Sequence, residues 1–164
     1  MSNIESIKNR ADLETKLSES ELSQYHNFSN NIRKLQYLLA HTLVKDVCGE
    51  NVTVSENGVP TIKSGFVSIA HKDNWVVIAV SDSLVGIDIE NTNIIRDFTG
   101  QSELLNLPKT NDKKVFYRNF VEYESRFKYG KDSAKAYMYF YEFDNYLIGI
   151  CTAEQYKDIQ FILS

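Results

Sequence analysis

Val85-Gly86-Ile87-Asp88-Ile89-Glu90 is the stretch that most narrows what this chain can become. Its alternation is the period of a β-strand, so Val85, Ile87 and Ile89 share one face and Gly86, Asp88 and Glu90 the other. Two carboxylates about 7 Å apart on one face repel each other unless water or a cation lies between them. Gly86 adds a bare patch of backbone that a ligand can approach closely. Hard oxygen ligands on a rigid strand suit Mg²⁺, which commonly takes one or two carboxylates and completes its shell with phosphate and water. The same alternation also describes a half-exposed strand whose acidic residues face solvent, and spacing alone leaves both readings open.

The segments around this strand set the architecture. Residues 1–20 are polar and read as a loosely held helix or frayed arm. Ile32, Leu35, Leu38, Leu39, Leu43 and Val47 recur at helical spacing, with Ser29 or Asn30 as the cap and Gly49 at the end. Asn57-Gly58, with Pro60 beyond, marks a turn. Phe66–Ile69 and Trp75–Val80 read as extended, and Ser81-Asp82-Ser83 predicts a hairpin into Leu84–Glu90. Residues 91–112 are a polar loop with short helical pieces. Val115, Phe116, Asn119, Phe120, Tyr123 and Phe127 then describe a second amphipathic helix ending near Gly130. Tyr137–Phe143 and Tyr146–Cys151 flank Asp144-Asn145, a hairpin signal, and Lys157–Leu163 reads as a last strand. The order is helix, strands, helix, strands, which predicts an α+β fold of one unit, residues 1–164, with lobes of about 1–83 and 84–164.

Composition removes several function classes. Lys and Arg total 18 against 22 Asp and Glu, so a nucleic-acid-coating protein is not expected, although a local basic pocket for phosphates is compatible with net −4. Cys48 and Cys151 form no CxxC pair, which argues against a disulfide framework or a zinc site. The first residues lack a basic, then apolar, leader, and no run approaches the ~18 apolar residues of a membrane span. A cytoplasmic protein without membrane association is expected.

Three other positions carry candidate chemistry. Glu124 lies four residues from both Phe120 and Lys128, at the edge of the apolar stripe, where it either pairs with Lys128 or binds a cation. Glu122 and Arg126 form a better example of a plain surface ion pair. His71 beside Lys72, at a strand end, can donate to phosphate oxygens, and Arg33 on the first helix can reach the same anion, although a lone His there is more often structural or solvated and a helix-surface Arg usually only solvated. Ser83 and Ser125 have no evident His or Asp partner, so nucleophilic catalysis has little support.

Taken in order, Arg33, Gly58-Val59-Pro60, Ser68-Ile69-Ala70-His71, Gly86-Ile87-Asp88-Ile89-Glu90 and Phe116 to Lys128 resemble the 4′-phosphopantetheinyl transferase superfamily. The likeness is to the surfactin-synthetase-activating type and runs from about residue 21 to the C-terminal strands. It implies two pseudo-symmetric lobes, each a small antiparallel sheet packed on a long helix, with coenzyme A and Mg²⁺ in the cleft between them. On the matching positions it implies Asp88, Glu90 and Glu124 as Mg²⁺ ligands, and Arg33 and His71 as holders of nucleotide phosphates. Glu124 and Lys128 would be the catalytic pair. Glu124 would accept the proton of a carrier-protein serine, directly or through a metal-bound water, and Lys128 would neutralise the pyrophosphate. The implied partners are coenzyme A and an acyl or peptidyl carrier protein, and a single chain holding both halves of the site implies a monomer.

Tyr123, Val59 and Ala70 depart from the family's pattern, where a Lys, a Lys and a Ser stand. Lys63 is a candidate to replace the cation missing at Val59, which the sequence does not decide. A non-catalytic protein of the same fold that binds a carrier protein or coenzyme A is the alternative expectation, and a metal-free structural domain is the third.

Overall fold

Two antiparallel sheets, each covered by one long helix, follow from two amphipathic helical segments alternating with extended ones. The computed structural model describes residues 1–55, 58–94, 97–130, 133–156 and 159. In chain order they form strand β1 (Ser2–Asn3), helices α1 (Arg10–Glu14), α2 (Glu19–Asn27) and α3 (Asn31–Cys48), and strands β2 (Thr53–Val54), β3 (Pro60–Ile62), β4 (Gly65–Lys72), β5 (Trp75–Ser81) and β6 (Val85–Asn91). Helices α4 (Phe98–Leu104) and α5 (Lys113–Tyr129) and strands β7 (Tyr137–Phe143) and β8 (Tyr146–Thr152) follow. The expected strand at Lys157–Leu163, apart from Ile159, and residue Asn57 of the expected turn lie outside the described residues, while Gly58 has the left-handed φ of 76° that its turn requires.

The first sheet has the order β1-β5-β4-β3-β2. Helix α3 starts where the Asn30 side chain accepts the Arg33 N–H at 3.0 Å and stops at Gly49, whose φ of 74° an L side chain would resist. Its Leu39, Ala40 and Leu43 pack against Val76 of β5 and against Ile4. Ile32 and Val47, expected in the same stripe, are 51% and 49% exposed and belong to neither core cluster on that sheet, whereas Leu35 and Cys48 do. The N-terminal arm is not frayed as expected: Ser2 and Asn3 pair with Val76 and Trp75, and the Ile4 N–H donates to Asn74 O at 2.8 Å. Burying Ile4 in the α3 cluster is what holds it there.

The second sheet has the order β6-β8-β7. Asp144, at φ 50°, turns the β7–β8 hairpin as expected. The hairpin predicted at Ser81–Ser83 does not form. That break carries the chain from one sheet to the other, and β6 pairs with β8, with Asp88 opposite Gly149. Helix α5 also turns a different face inward than its apolar spacing suggests: Phe116, Tyr117, Val121 and Ser125 are buried, whereas Val115 and Phe127 are 44% and 73% exposed. The reason lies beneath it. Gly86 and Gly149 present bare backbone, so the small Ser125 fits against the sheet, and its hydroxyl donates to Gly149 O at 3.0 Å.

The two sheets meet through Ala70 and Val77 on one side and Val85, Ile87, Ile89, Ile148 and Ile150 on the other, which form a single core cluster. Polar bonds cross the same seam too, among them that from the Ile87 N–H to Ser68 Oγ at 3.0 Å. The architecture is α+β.

Candidate functional site

Alternation along β6 places its carboxylates as predicted but not in solvent. Asp88 and Glu90 are 7% and 8% exposed, which removes the reading of a strand with a wet acidic face. Gly86 lies directly under α5: a Cβ there would collide with Ser125 O and stand 2.6 Å from Tyr129 N. Close approach of helix to strand brings Lys128, one turn beyond Glu124, onto the strand. Its Nζ donates to Asp88 Oδ1 at 2.8 Å. The intrahelical Glu124–Lys128 pairing is thus replaced by a pair between α5 and β6. Glu122 and Arg126 do form the surface pair expected of them, at 2.8 Å.

Burial is the main force on Asp88, pushing its carboxyl above the ordinary aspartate range; the Glu124 charge pushes the same way and Lys128 opposes both. Asp88 Oδ2 is buried and has no hydrogen-bond partner among the described residues. Glu90 receives its cation from the other lobe, with Lys72 Nζ at 2.7 Å from Oε2. Lys72 was read from the sequence only as a phosphate donor, and its pairing across the seam has no local signature.

The first lobe contributes the other candidates. The Arg33 guanidinium lies against the His71 ring, Nη1 at 3.1 Å from Nδ1, so the structure joins the two positions read as phosphate holders. Partial burial of the ring, then Arg33 and more weakly Lys128 and Lys72, push the His71 pKa down to about 4. The residue keeps an exposed edge, and a neutral ring beside a guanidinium is the consequence. Arg33 and His71 border an open hollow of about 550 Å³ that Lys72 also lines. A larger cavity, about 670 Å³, lies against the opposite face of β6, among Val77, Ala79, Ile87, Ile148 and Ile150, and contains none of these groups. Of the three departures, Ala70 points into the seam core and away from His71, Val59 is exposed and Tyr123 is half-buried. Lys63 is exposed.

Two carboxylate–ammonium pairs, Asp88–Lys128 and Glu90–Lys72, thus lie along β6, with the Glu124 charge felt at Asp88. Among the described residues no three His, Cys, Asp or Glu side chains stand close enough to hold a metal ion as they lie. Lys72 and Lys128 neutralise Glu90 and Asp88 instead. The Asp88 Oδ2 atom, with the negative field of Glu124 upon it, is left without a hydrogen-bond partner among the described residues.

The sequence reading missed two further residues here. Asp73, at φ 52° in the β4–β5 turn, accepts from Asn91 Nδ2 at 2.7 Å and Tyr146 OH at 3.0 Å, tying the turn after Lys72 to the strand end after Glu90. Gln36 of α3 donates from Nε2 to the Asp73 carbonyl at 2.8 Å. The Asp-Asn pair between two strands was a turn signal in the sequence, but its partners were not.

Comparison with models of known protein families and with curated proteins found no match to the chain. Among the described residues no helix is long and apolar enough to cross a membrane.

Proposed function

We propose that the chain transfers the 4′-phosphopantetheine arm of coenzyme A to a serine of an acyl or peptidyl carrier protein, releasing adenosine 3′,5′-bisphosphate. The proposal includes the two-lobed fold of the phosphopantetheinyl transferases, Mg²⁺ as cofactor, and a monomer acting in the cytoplasm. The observation that carries it is the buried Asp88–Glu90 strand, with one unsatisfied carboxylate oxygen, facing Glu124 and Lys128 of α5 at the seam that His71, Arg33 and Lys72 border.

In this reading Asp88, Glu90 and Glu124 would hold Mg²⁺, which would supply positive charge against the pyrophosphate. Arg33 and His71 grip nucleotide phosphates, the guanidinium by charge and the neutral ring by a single N–H. The Glu124 carboxylate accepts the serine proton as the serine oxygen bonds to the β-phosphorus. The bond from that phosphorus to the bridging oxygen breaks, and adenosine 3′,5′-bisphosphate departs with the electron pair. Lys128, already beside the reacting edge, offsets the charge that collects on the departing phosphate.

One observation favours a second reading. Both β6 carboxylates already hold an ammonium, so a metal-free protein that binds coenzyme A or a carrier without turnover is consistent with the same geometry. Intact-protein mass spectrometry of apo carrier proteins, incubated with the chain, coenzyme A and Mg²⁺, separates the two. A mass gain of one phosphopantetheine that vanishes without Mg²⁺ is the expected result. No gain on any carrier, with coenzyme A binding intact by calorimetry, leaves the binder.

A further inference from the structure

Strand β7 is the outer strand of the second sheet, and among the described residues no strand pairs with its far side. The sheet's other edge, β6, lies against the first lobe, with the Ile87 N–H on Ser68 Oγ. Phe143 and Tyr146 close a two-residue turn, so they form a hydrogen-bonded pair and the ladder alternates from there. The main-chain groups of Met138, Phe140 and Glu142 therefore point away from β8. Sheet edges are normally blunted by Lys, Pro, a bulge or short length. Strand β7 has none of these: it is seven residues, Tyr137–Phe143, in unbroken register with β8 and with one charge, Glu142. Phe140 packs toward α5, and Tyr139 and Tyr141 pack on the seam cluster, so alternation puts Met138 and Glu142 on the α5 face.

We propose that β7 is a self-pairing edge, at which two copies of the chain join their second sheets into one antiparallel sheet about a two-fold axis at Phe140. The strand reads nearly alike in both directions from that residue. Phe140 meets Phe140 of the second copy and Met138 meets Glu142, and each pair exchanges both main-chain bonds. Tyr139 then faces Tyr141, and Tyr137 faces Phe143, aromatic pairs of the kind that stabilise sheets. Only a centre at Phe140 pairs the strand over its whole length, and a slip to Glu142 would set two carboxylates opposite one another. The Phe140 centre instead brings each Glu142 diagonal to the other copy's Phe140. The exposed Arg118 guanidinium lies over that ring, 3.9 Å from its centre, and offers the carboxylate a counter-charge. A two-fold pairing uses both edges and closes, so it stops at the dimer. The contact is at the small end of specific interfaces, so single chains and pairs interconvert. Each candidate site lies within one chain, which stays the acting unit, and the inference goes beyond the transferase reading without resting on it.

Sedimentation velocity of the full chain tests this from about 1 μM to about 500 μM, the range over which so small an interface should dissociate. The expected result is a reversible monomer–dimer equilibrium with no larger species. Amide exchange, read by NMR, should slow with concentration at Met138, Phe140 and Glu142, whose N–H groups become paired. Two variants fix the register. Met138→Lys should tighten the dimer about fivefold, because the new ammonium meets Glu142 of the second copy, and Met138→Glu should weaken it by at least as much. A monomer throughout the range, growth beyond the dimer, exchange that slows elsewhere, or two variants that act alike overturns the proposal. The wild-type experiments stand even where a variant does not fold, and none of these outcomes bears on phosphopantetheine transfer, which is tested on carrier proteins.

Discussion

The two lobes cover their sheets by different means. Helix α3 rests on β5 through interlocking side chains, Leu39, Ala40 and Leu43 against Val76, and such a contact can repack when one member changes. Helix α5 rests on β6 through Gly86, where main chain nearly touches main chain, and on β8 through Gly149, which the Val121 and Ser125 side chains cover. Two backbones in contact have no rotamers with which to adjust. The lobe that must set Lys128 on Asp88 to within a hydrogen bond is the one whose helix has been given no freedom to slide. Packing tolerance in one lobe and fixed register in the other therefore follow the placement of the charged groups.

The sharpest test of that asymmetry is Asp88→Ala. If the site is catalytic, transfer should fall at least about a thousandfold, comparable to the loss of a principal electrostatic group. The fold should survive, because Lys128 has 29% of its side chain in solvent and can turn outward. Retained transfer would remove Asp88 from the reacting groups and leave the fixed register without a purpose.

Next in size is a matched pair. Leu39→Ala and Gly86→Ala should each cost about 3 kcal/mol in denaturant unfolding, the first by leaving a cavity and the second by collision with Ser125 and Tyr129. At equal stability they should part company at the site. The chemical shift of the Lys128 ammonium, read by NMR, should move in Gly86→Ala and stay put in Leu39→Ala. Identical spectra in the two would mean that α5 adjusts as freely as α3.

The smallest effect concerns pH. His71 has a pKa of about 4 in the folded chain against an ordinary 6.5, so between those values the unfolded chain binds more protons. Its contribution is present above pH 6.5 and is lost as pH falls toward 4. Because the residue has an exposed edge, the loss should be under about 1 kcal/mol. His71→Gln should abolish it, seen as unfolding midpoints of the two proteins converging from pH 7 to pH 4. A constant gap would place His71 away from the Arg33 charge.

Elements whose cause is local were legible in the sequence. Helix α3 had its periodicity, its Asn30 cap and its Gly49 stop, and the β7–β8 hairpin had Asp144-Asn145. The alternation of β6 correctly paired Asp88 with Glu90 on one face. The rest depended on partners far along the chain. A turn that closes a hairpin and a turn that crosses between sheets share a composition, so Ser81–Ser83 was misread. The inward face of α5 was set by two glycines on other strands, which no apolar stripe reveals. Lys72 on Glu90, and the orphaned carbonyl of Gln36, exist only once the lobes have met.

The crossing at Ser81–Ser83 also sets a timetable. Strands β4 and β5 pair across a tight turn, whereas β6 must wait for β8, roughly sixty residues later, to close its ladder. Closing so long a loop is entropically slow, and the second sheet should trail the first as the chain collapses. Until β8 arrives, Asp88 and Glu90 remain on an unpaired strand with their charges in water. The step that dehydrates them is then the last zipping of the molecule, and the electrostatic cost of the site falls on a chain that is already mostly folded.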